Sequence, residues 1–239
     1  MIVEGINVVR EILKADIKIE KVIAEETDNK DIVCLVDLAK SKGVSVEKVD
    51  KQKLEKIAKA KTQGIIAFVP NFKYCEVKDI FLNAERKNEK PFIVILDGIT
   101  DPHNLGAIIR TCECAGVHGV IIPENRACEV NSTVYKTSAG AIVHMPVAIV
   151  TNLTRTINEL KKENVWVYAL EAGSKKLYKA DFTYPTAIVV GSEGKGVSRL
   201  VRENVDEVLS LDMFGKVNSL NASNAAAISI YEVVRQRSR

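Results

Sequence analysis

Five apolar runs follow one another in the second part of the sequence, and they constrain the fold more than any other feature. Each run holds four to six apolar residues, and helical patterns lie between the runs, which read FIVILDG, GVIIP, MPVAIV, VWVYALE and TAIVVG. Uninterrupted apolar runs of this length are typical of parallel strands that are buried on both faces. We therefore predict an α/β fold with a mostly parallel sheet covered by helices, in which ligands bind at the carboxyl ends of the strands.

The residues before these runs form a shorter alternation of strand and helix patterns, which Pro70 closes. Residues 71–90 include one amphipathic stretch and a polar run, as expected of an inter-domain connection. The length of 239 residues suits two domains of moderate size. The predicted organisation is a small N-terminal α/β domain over residues 1–70, a linker over 71–90 and a larger domain over 91–239.

The composition argues against several classes of protein. No apolar run approaches the roughly 20 residues that cross a bilayer. The N-terminal stretch MIVEGINVVREILK carries acidic residues where a signal peptide needs an uninterrupted hydrophobic run. We therefore expect a soluble, cytoplasmic protein. The five cysteines include no CxxC pair, which favours reduced packing residues over disulfides or a zinc site, and no metal site is predicted.

Positive charge is concentrated in one stretch of the N-terminal region. The net charge of +3 is too balanced to indicate a partner, but eight lysines and only three acidic residues lie between Lys40 and Lys61. Such a segment can follow a phosphate backbone. The candidate contacts are Lys51, Lys53, Lys56 and Lys59. An ordinary solvated lysine face is the alternative interpretation.

The first candidate functional loop is LDGITDPHNLGAIIRTCECAG, in which a buried strand ends at Asp97 and a helix begins near Asn104. Asn104 stands where a helix needs an N-cap, and Arg110 follows six residues later. One interpretation is a cap and a solvated arginine. The other is that both side chains lie near the strand ends, where the guanidinium can grip a phosphate.

The second loop, VVGSEGKGVS, joins a strand to a helix through Gly191, Gly194 and Gly196. Glycine lets the backbone approach a ligand or adopt a positive φ angle. The loop has neither the GKS/T ending of a phosphate-binding loop nor the GxGxxG dinucleotide fingerprint. Because the carboxylate of Glu193 repels phosphate, the loop favours a nucleoside over a nucleotide.

The third stretch, LSLDMFGKVNSLNASNAAAISIYEVVRQR, leads from a strand that ends near Leu211 into a helix that begins around Ser219. Small residues in the first half of this helix permit close packing. Packing does not explain why three polar residues, Ser219, Asn221 and Asn224, cluster at the start of the helix.

Together, DPHNLGAIIRTCECAG, VGSEGKGVS and MFGKVNSLNASNA resemble motifs one, two and three of the SpoU/TrmH family of RNA ribose 2′-O-methyltransferases, within the SPOUT superfamily. The N-terminal VEGINVV and TQGIIA resemble the substrate-binding domain of the branch that methylates a guanosine in large-subunit (23S) ribosomal RNA. The resemblance implies a deep trefoil knot that holds S-adenosylmethionine, and a homodimer with active sites near the subunit interface. It also implies that ribosomal RNA is the partner. From the charge pattern, we expect the N-terminal lysines to supply a phosphate attraction that is largely independent of RNA sequence, while other residues of the same domain recognise the RNA.

By position, the resemblance assigns two sets of site residues. Its catalytic positions are Asn104, Arg110, Glu193, Ser219 and Asn221, and its cofactor-contacting positions are Gly191, Leu211 and Leu220. Asp212 departs from the family, which commonly has proline before the methionine. We expect a carboxylate there to alter the cofactor loop.

Methyl transfer from a sulfonium requires no metal, because the leaving group is already excellent. The difficulty is the ribose hydroxyl, which must lose its proton. Neither His103 nor His118 has an evident carboxylate partner in the sequence. A guanidinium is always protonated, so we expect Arg110 to bind the neighbouring phosphate and stabilise the developing alkoxide, while Asn104, Ser219 and Asn221 fix the geometry.

Three alternatives stay open at this point. A transfer-RNA ribose methyltransferase would share the three motifs. A catalytically silent RNA-binding assembly factor would not be expected to keep the polar residues of all three motifs, which are Asn104, Arg110, Glu193 and Asn221. A Rossmann-type dinucleotide enzyme would need the fingerprint and the acidic residue about 20 positions after it, which this chain lacks.

Overall fold

The computed structural model describes residues 1–15, 17–58 and 61–238, without the side chains of residues 172–174. The first part of the chain contains β1 (Ile2–Glu4), α1 (Ile6–Lys14), β2 (Lys21–Glu25), α2 (Lys30–Ser41), β3 (Val46–Val49), α3 (Lys51–Ala58) and β4 (Ile65–Phe68). The middle part contains α4 (Val77–Arg86), β5 (Phe92–Asp97), α5 (Pro102–Cys114), β6 (Gly119–Pro123), α6 (Ser132–Thr137) and β7 (Val147–Val150). The last part contains α7 (Leu153–Lys162), β8 (Trp166–Lys176), β9 (Thr186–Gly191), α8 (Arg199–Asn204), β10 (Glu207–Ser210) and α9 (Ala222–Arg237).

Residue contacts divide the chain into two units. The first unit comprises Met1–Lys73 and Val130–His144, and the second comprises Tyr74–Glu129 and Met145–Arg239. The predicted α/β class with a mostly parallel sheet is confirmed. The division into independently folding parts at residues 70 and 91 stays a prediction, as does the trefoil knot. Among the described residues, no helix has both the length and the apolar character needed to span a bilayer.

The first unit contains a four-stranded sheet in the order β1-β4-β2-β3. The central strand β4 is antiparallel to both neighbours, whereas β2 and β3 are parallel. Asn29 caps α2, since its side chain accepts a hydrogen bond from the backbone N–H of Asp31 at 3.0 Å. Helix α3 lies in the lysine-rich stretch and follows Asp50, whose carboxylate accepts from the Lys53 N–H at 2.9 Å.

The two N-terminal sequence matches, VEGINVV and TQGIIA, meet in this unit. Gly5 adopts a φ of 109° before α1, and its N–H donates to the carbonyl of Ile65 at 3.3 Å. The side chain of Gln63 accepts from the N–H of Ile6 at 2.9 Å. Gln63 therefore accepts from a backbone N–H at the start of α1 that has no partner within the helix.

The segment Val130–His144 packs on the N-terminal strands and helices, although it lies between β6 and β7 in the chain. Lys136 forms a salt bridge with Glu4 of β1, and the His144 ring lies 3.0 Å from a carboxylate oxygen of Glu11 in α1. This hydrogen bond from His144 is the main reason why the pKa of Glu11 is lowered. This segment contains α6, and its contacts group it with the first unit.

The second unit is built on a six-stranded sheet in the order β10-β8-β9-β5-β6-β7. Every neighbouring pair in this sheet is parallel. Helix α4 lies inside the stretch predicted as a linker, and its Ile80 is fully buried in the core of this unit. A Cβ atom on Gly119 would come within 2.5 Å of the Ile80 side chain, so Gly119 lets α4 pack against β6.

Candidate active site

A cleft of about 670 Å³ lies in the second unit, at the carboxyl ends of β9 and β10 and beside the middle of β8. Its position agrees with the general rule that parallel sheets bind ligands at this edge. Three segments supply the walls: the middle of β8, the turn that follows β9, and the stretch from β10 into α9. The lining residues are Leu170, Glu171, Val190, Gly191, Ser192, Glu193, Gly194, Lys195, Gly196, Leu209, Leu211, Met213, Asn218, Ser219, Leu220, Asn221, Ala222 and Ala225.

The start of α5 differs from the expectation. Asp101 is the N-cap, because its carboxylate accepts from the backbone N–H of His103 at 2.9 Å, and Pro102 is the first helical residue. The interpretation of Asn104 as the cap is therefore wrong. Since Asp101 performs this role, the amide of Asn104 is available elsewhere, and its Nδ2 donates to Oε1 of Glu193 at 3.0 Å.

The turn after β9 is closed by its own backbone. Ser192 and Gly196 exchange two N–H···O hydrogen bonds, at 3.1 and 2.9 Å. Gly194 and Gly196 adopt φ angles of 79° and 64°, which disfavour residues with a Cβ. A Cβ on Gly191 would lie only 2.2 Å from the carbonyl carbon of Gly196, so Gly191 is required by the turn itself.

Asn221 is the N-cap of α9 and also joins the first two loops. Its Oδ1 accepts from the backbone N–H of Ser223 at 2.9 Å and from the Ser223 hydroxyl at 2.5 Å. Its Nδ2 therefore points the other way, where it donates to Oδ1 of Asn104 at 3.0 Å and to Oε1 of Glu193. We call Asn104, Glu193 and Asn221 the amide–carboxylate network, and it connects all three sequence motifs.

The other predicted site residues divide into two groups. Gly191, Leu211, Ser219 and Leu220 all line the cleft, as Glu193 and Asn221 do. Arg110 lies outside both the cleft and the network. It is exposed on α5, about 9 Å along the helix axis from Asn104. Among the described residues, no hydrogen bond or salt bridge involves the Arg110 side chain.

Sequence reasoning missed the contribution of β8 to the cleft, through Leu170 and Glu171. The unusual Asp212 forms a salt bridge with Lys176, the last residue of β8. This salt bridge connects the loop that carries Leu211 to β8. It is made by the residue that stands where the resembled family commonly has proline.

The two histidines considered as bases do not join the network. His118 does have a carboxylate partner, contrary to the expectation, since its Nε2 lies 3.0 Å from Glu89. Its Nδ1 accepts from the N–H of Phe92, which places it at the amino end of β5, and burial lowers its pKa. The ring of His103 is exposed and makes no hydrogen bond with the described residues.

The candidate phosphate-binding lysines differ in their surroundings. Lys53 donates to Glu47 at 3.0 Å, and Lys21 binds the other oxygen of this carboxylate at 2.6 Å. Hydrogen bonds from Lys21 and then Lys53 lower the pKa of Glu47. Lys51 and Lys56 are exposed, and neither forms a salt bridge with a described residue. Lys59 lies outside the described residues.

Two family profiles together match most of the chain. The profile of the SpoU rRNA methylase family matches residues 91–231. The profile described as RNA 2′-O ribose methyltransferase substrate binding matches residues 2–75.

Individual proteins with related sequences or folds agree with the profiles. A Bacillus subtilis protein, YacO, named as a TrmH family tRNA/rRNA methyltransferase, is 45% identical over 98% of this chain and 94% of its own. The SpoU methyltransferase AviRb from Streptomyces viridochromogenes, in complex with the cofactor AdoMet, has a TM-score of 0.84 and 22% identity, covering 100% of this chain and 90% of its own. The A. aeolicus TrmH/SpoU tRNA modifying enzyme has a TM-score of 0.57 and 29% identity, covering 66% of this chain and 84% of its own.

Proposed function

The chain belongs to the SpoU rRNA methylase family, and we propose that it transfers a methyl group from S-adenosylmethionine to the 2′-hydroxyl of a ribose in RNA. The observation that carries this proposal is the amide–carboxylate network, which brings one polar side chain from each motif together beside the cleft. A silent RNA-binding protein would have no use for such a convergence. The experiment that tests the proposal is incorporation of a labelled methyl group into RNA by the purified protein.

The cleft fits the cofactor by volume and by chemistry. A volume of about 670 Å³ lies within the range of small-molecule sites, about 300 to 1,000 Å³. Apolar side chains such as Val190, Leu209 and Leu211 can cover a purine ring, and the backbone of the β9 turn can approach it closely. No salt bridge of the described residues involves Glu193, so its carboxylate suits a ligand with positive charge and disfavours a phosphate.

The chain's own residues have to make the ribose hydroxyl reactive and hold it in line. When bound, the cofactor supplies a methyl group on a sulfonium, a strong electrophile. Asn104 and Asn221 keep the mouth of the cleft in a fixed arrangement, because each amide is held by Glu193 and by the other amide. Arg110 would bind RNA phosphate from its exposed position on α5 and stabilise negative charge near the hydroxyl.

The finer substrate of the proposal is a guanosine in large-subunit ribosomal RNA. The ribosomal RNA part is supported by the description of the family that matches residues 91–231, which is an rRNA methylase family. The guanosine part rests on the resemblance of the N-terminal VEGINVV and TQGIIA. The alternative is transfer RNA, since related proteins are named tRNA/rRNA methyltransferases. Mapping the methylated ribose after treating both RNA classes with the purified protein separates the two. A homodimer and a cytoplasmic location are part of the same proposal.

Arg110 offers a test of chemistry apart from cofactor binding. We expect Arg110→Ala to lose most methyl transfer, by about a hundredfold, and to keep its affinity for S-adenosylmethionine, because the side chain lies outside the cleft. Arg110→Lys should restore little, since an ammonium cannot reproduce the planar guanidinium fork. Tritiated-methyl incorporation and calorimetric titration measure the two properties. Arg86→Ala, on the exposed face of α4, is the matched control, and full activity of Arg110→Lys would contradict the specific role.

The lysines of α3 test RNA attraction by the first unit. Replacing Lys51 and Lys56 by glutamine should weaken RNA binding and reduce the slope of log affinity against log salt by about 1 to 2, because each phosphate contact releases counterions. Fluorescence anisotropy at several salt concentrations measures the slope. Lys162 and Lys179, exposed lysines of the second unit, provide a control with the same charge change. An unchanged slope would show that Lys51 and Lys56 make no phosphate contacts and belong to an ordinary solvated face.

A further inference from the structure

Glu171, in the wall of the cleft, has one satisfied and one unsatisfied carboxylate oxygen. Its Oε1 accepts a hydrogen bond from Nη1 of Arg202 at 3.0 Å. Its Oε2 is closed off from water and has no hydrogen-bond partner among the described residues. Leaving a buried acceptor unpaired destabilises the folded state, and more so for a charged group, so such an atom calls for a specific explanation.

The position of Glu171 in the sheet points to a ligand. In β8, Ala169 pairs with Val189 of β9 and with Val208 of β10. Glu171 follows Ala169 by two residues, as Gly191 follows Val189, so both residues lie at the level where the strands open into the cleft. The register between β8 and β10 shifts directly after Val208, so that Ala169 and Lys175 pair with consecutive residues of β10 and Glu171 has no paired residue there.

Arg202 decides which kind of ligand group this carboxylate can take. The guanidinium already compensates the charge of Glu171, and it would repel a second cation at the same carboxylate. A neutral hydroxyl donor meets no such repulsion and satisfies one acceptor oxygen. Glu193 is different, because its partners are two neutral amides. The cleft therefore has one carboxylate suited to a cation and another suited to a hydroxyl.

We propose that Glu171 binds the ribose hydroxyls of the cofactor's adenosine, through the oxygen that has no partner in the protein. This inference rests on the proposed function, since it assigns a residue to the cofactor of that reaction. The terminal torsion of a glutamate side chain is soft, so Oε2 can turn toward the cleft while Oε1 keeps its bond to Arg202. Ligand binding then satisfies an acceptor that the protein alone leaves unpaired.

Calorimetric titration with nonreactive ligands tests the proposal without using activity. The ligands are S-adenosylhomocysteine, 5′-methylthioadenosine and adenine, and the proteins are the wild type, Glu171→Ala and Glu171→Gln. Glu171→Ala should weaken both ribose-containing ligands by a similar factor, about ten- to a hundredfold, and leave adenine within about twofold. Glu171→Gln, which keeps an acceptor oxygen, should be affected less.

A double cycle with the 2′-deoxy and 3′-deoxy forms of S-adenosylhomocysteine identifies the contact. If Glu171 binds one of the two hydroxyls, the ligand that lacks this hydroxyl should bind the wild type more weakly than S-adenosylhomocysteine does. The same ligand should then bind Glu171→Ala with nearly the affinity that it has for the wild type. Arg202→Ala, which removes the partner and keeps the carboxylate, should retain the preference for the hydroxyl. The assignment would be overturned if the affinity losses from removing the hydroxyl and from Glu171→Ala were additive. It would also be overturned if Glu171→Ala weakened the binding of adenine as much as that of the ribose-containing ligands. A wild type that binds neither S-adenosylmethionine nor S-adenosylhomocysteine would overturn the proposed function as well.

Discussion

Replacing Gly191 by alanine is expected to abolish the binding of S-adenosylmethionine. The added Cβ would lie 2.2 Å from the carbonyl carbon of Gly196 and 2.4 Å from the backbone nitrogen of Val197. These are backbone atoms, so no side-chain rotation relieves the clash, and the turn that Ser192 and Gly196 close must open. Calorimetry should show a loss of affinity of at least about a hundredfold, and the ligand should no longer raise the melting temperature.

Two other glycines of the cleft region provide matched controls for Gly191. Gly215 has a φ angle that any residue adopts and no atom within 4 Å of an added Cβ, so Gly215→Ala should bind the ligand normally. Gly194 has the same free space and a φ of 79°, so Gly194→Ala should cost about 1 to 2 kcal/mol through backbone strain alone. Unchanged affinity in Gly191→Ala would show that the turn does not shape the cofactor site.

The parallel sheet was predictable from the sequence because its requirement is local. A strand that is buried on both faces needs apolar residues at consecutive positions, and each of the five runs became a strand. The order of the strands depends on contacts between distant segments. Without the strand order, nothing indicated that the middle of β8 lies beside the turn after β9, and Glu171 was therefore missed.

The error at the start of α5 had a different origin. Asp101 and Asn104 are both good N-cap residues, and spacing alone did not separate them. The signal that decides between them was present, because Pro102 is favoured at the first helical position and makes the residue before it the cap. The same correction explains why Asn104 is free to reach Glu193.

Pairings across the fold account for the remaining differences. In the sequence, Lys53 is one cation of a basic stretch, whereas in the fold it forms a salt bridge with Glu47 on β3, a carboxylate that it shares with Lys21. Lys136 of α6 pairs with Glu4, and His144, which follows α6, pairs with Glu11; both carboxylates lie more than 100 residues earlier in the chain. Charge counts and periodicity are blind to such contacts, because they compare only neighbours in sequence.

Glu193 is the residue of the amide–carboxylate network whose removal should have the largest effect on catalysis. Its Oε1 accepts from both Asn104 and Asn221, so Glu193→Ala leaves two amides without their common acceptor. The side chain is exposed, and we therefore expect the free energy of unfolding to change by less than about 1 kcal/mol. Methyl transfer should fall by about a hundredfold or more, since small displacements of positioning groups have effects of this size.

Glu193→Gln separates the two properties of this side chain. Glutamine keeps an acceptor oxygen for both amides and loses the negative charge, so activity between those of the wild type and Glu193→Ala is the expected result. Single-turnover incorporation of tritiated methyl groups into RNA measures the chemistry, and calorimetry measures cofactor affinity alongside it. The matched control is Glu203→Ala, which removes an exposed glutamate paired with Arg199 on the neighbouring helix α8. If Glu193→Ala is as active as Glu203→Ala, the network is only a structural link between the three loops, and the groups that position the ribose lie elsewhere.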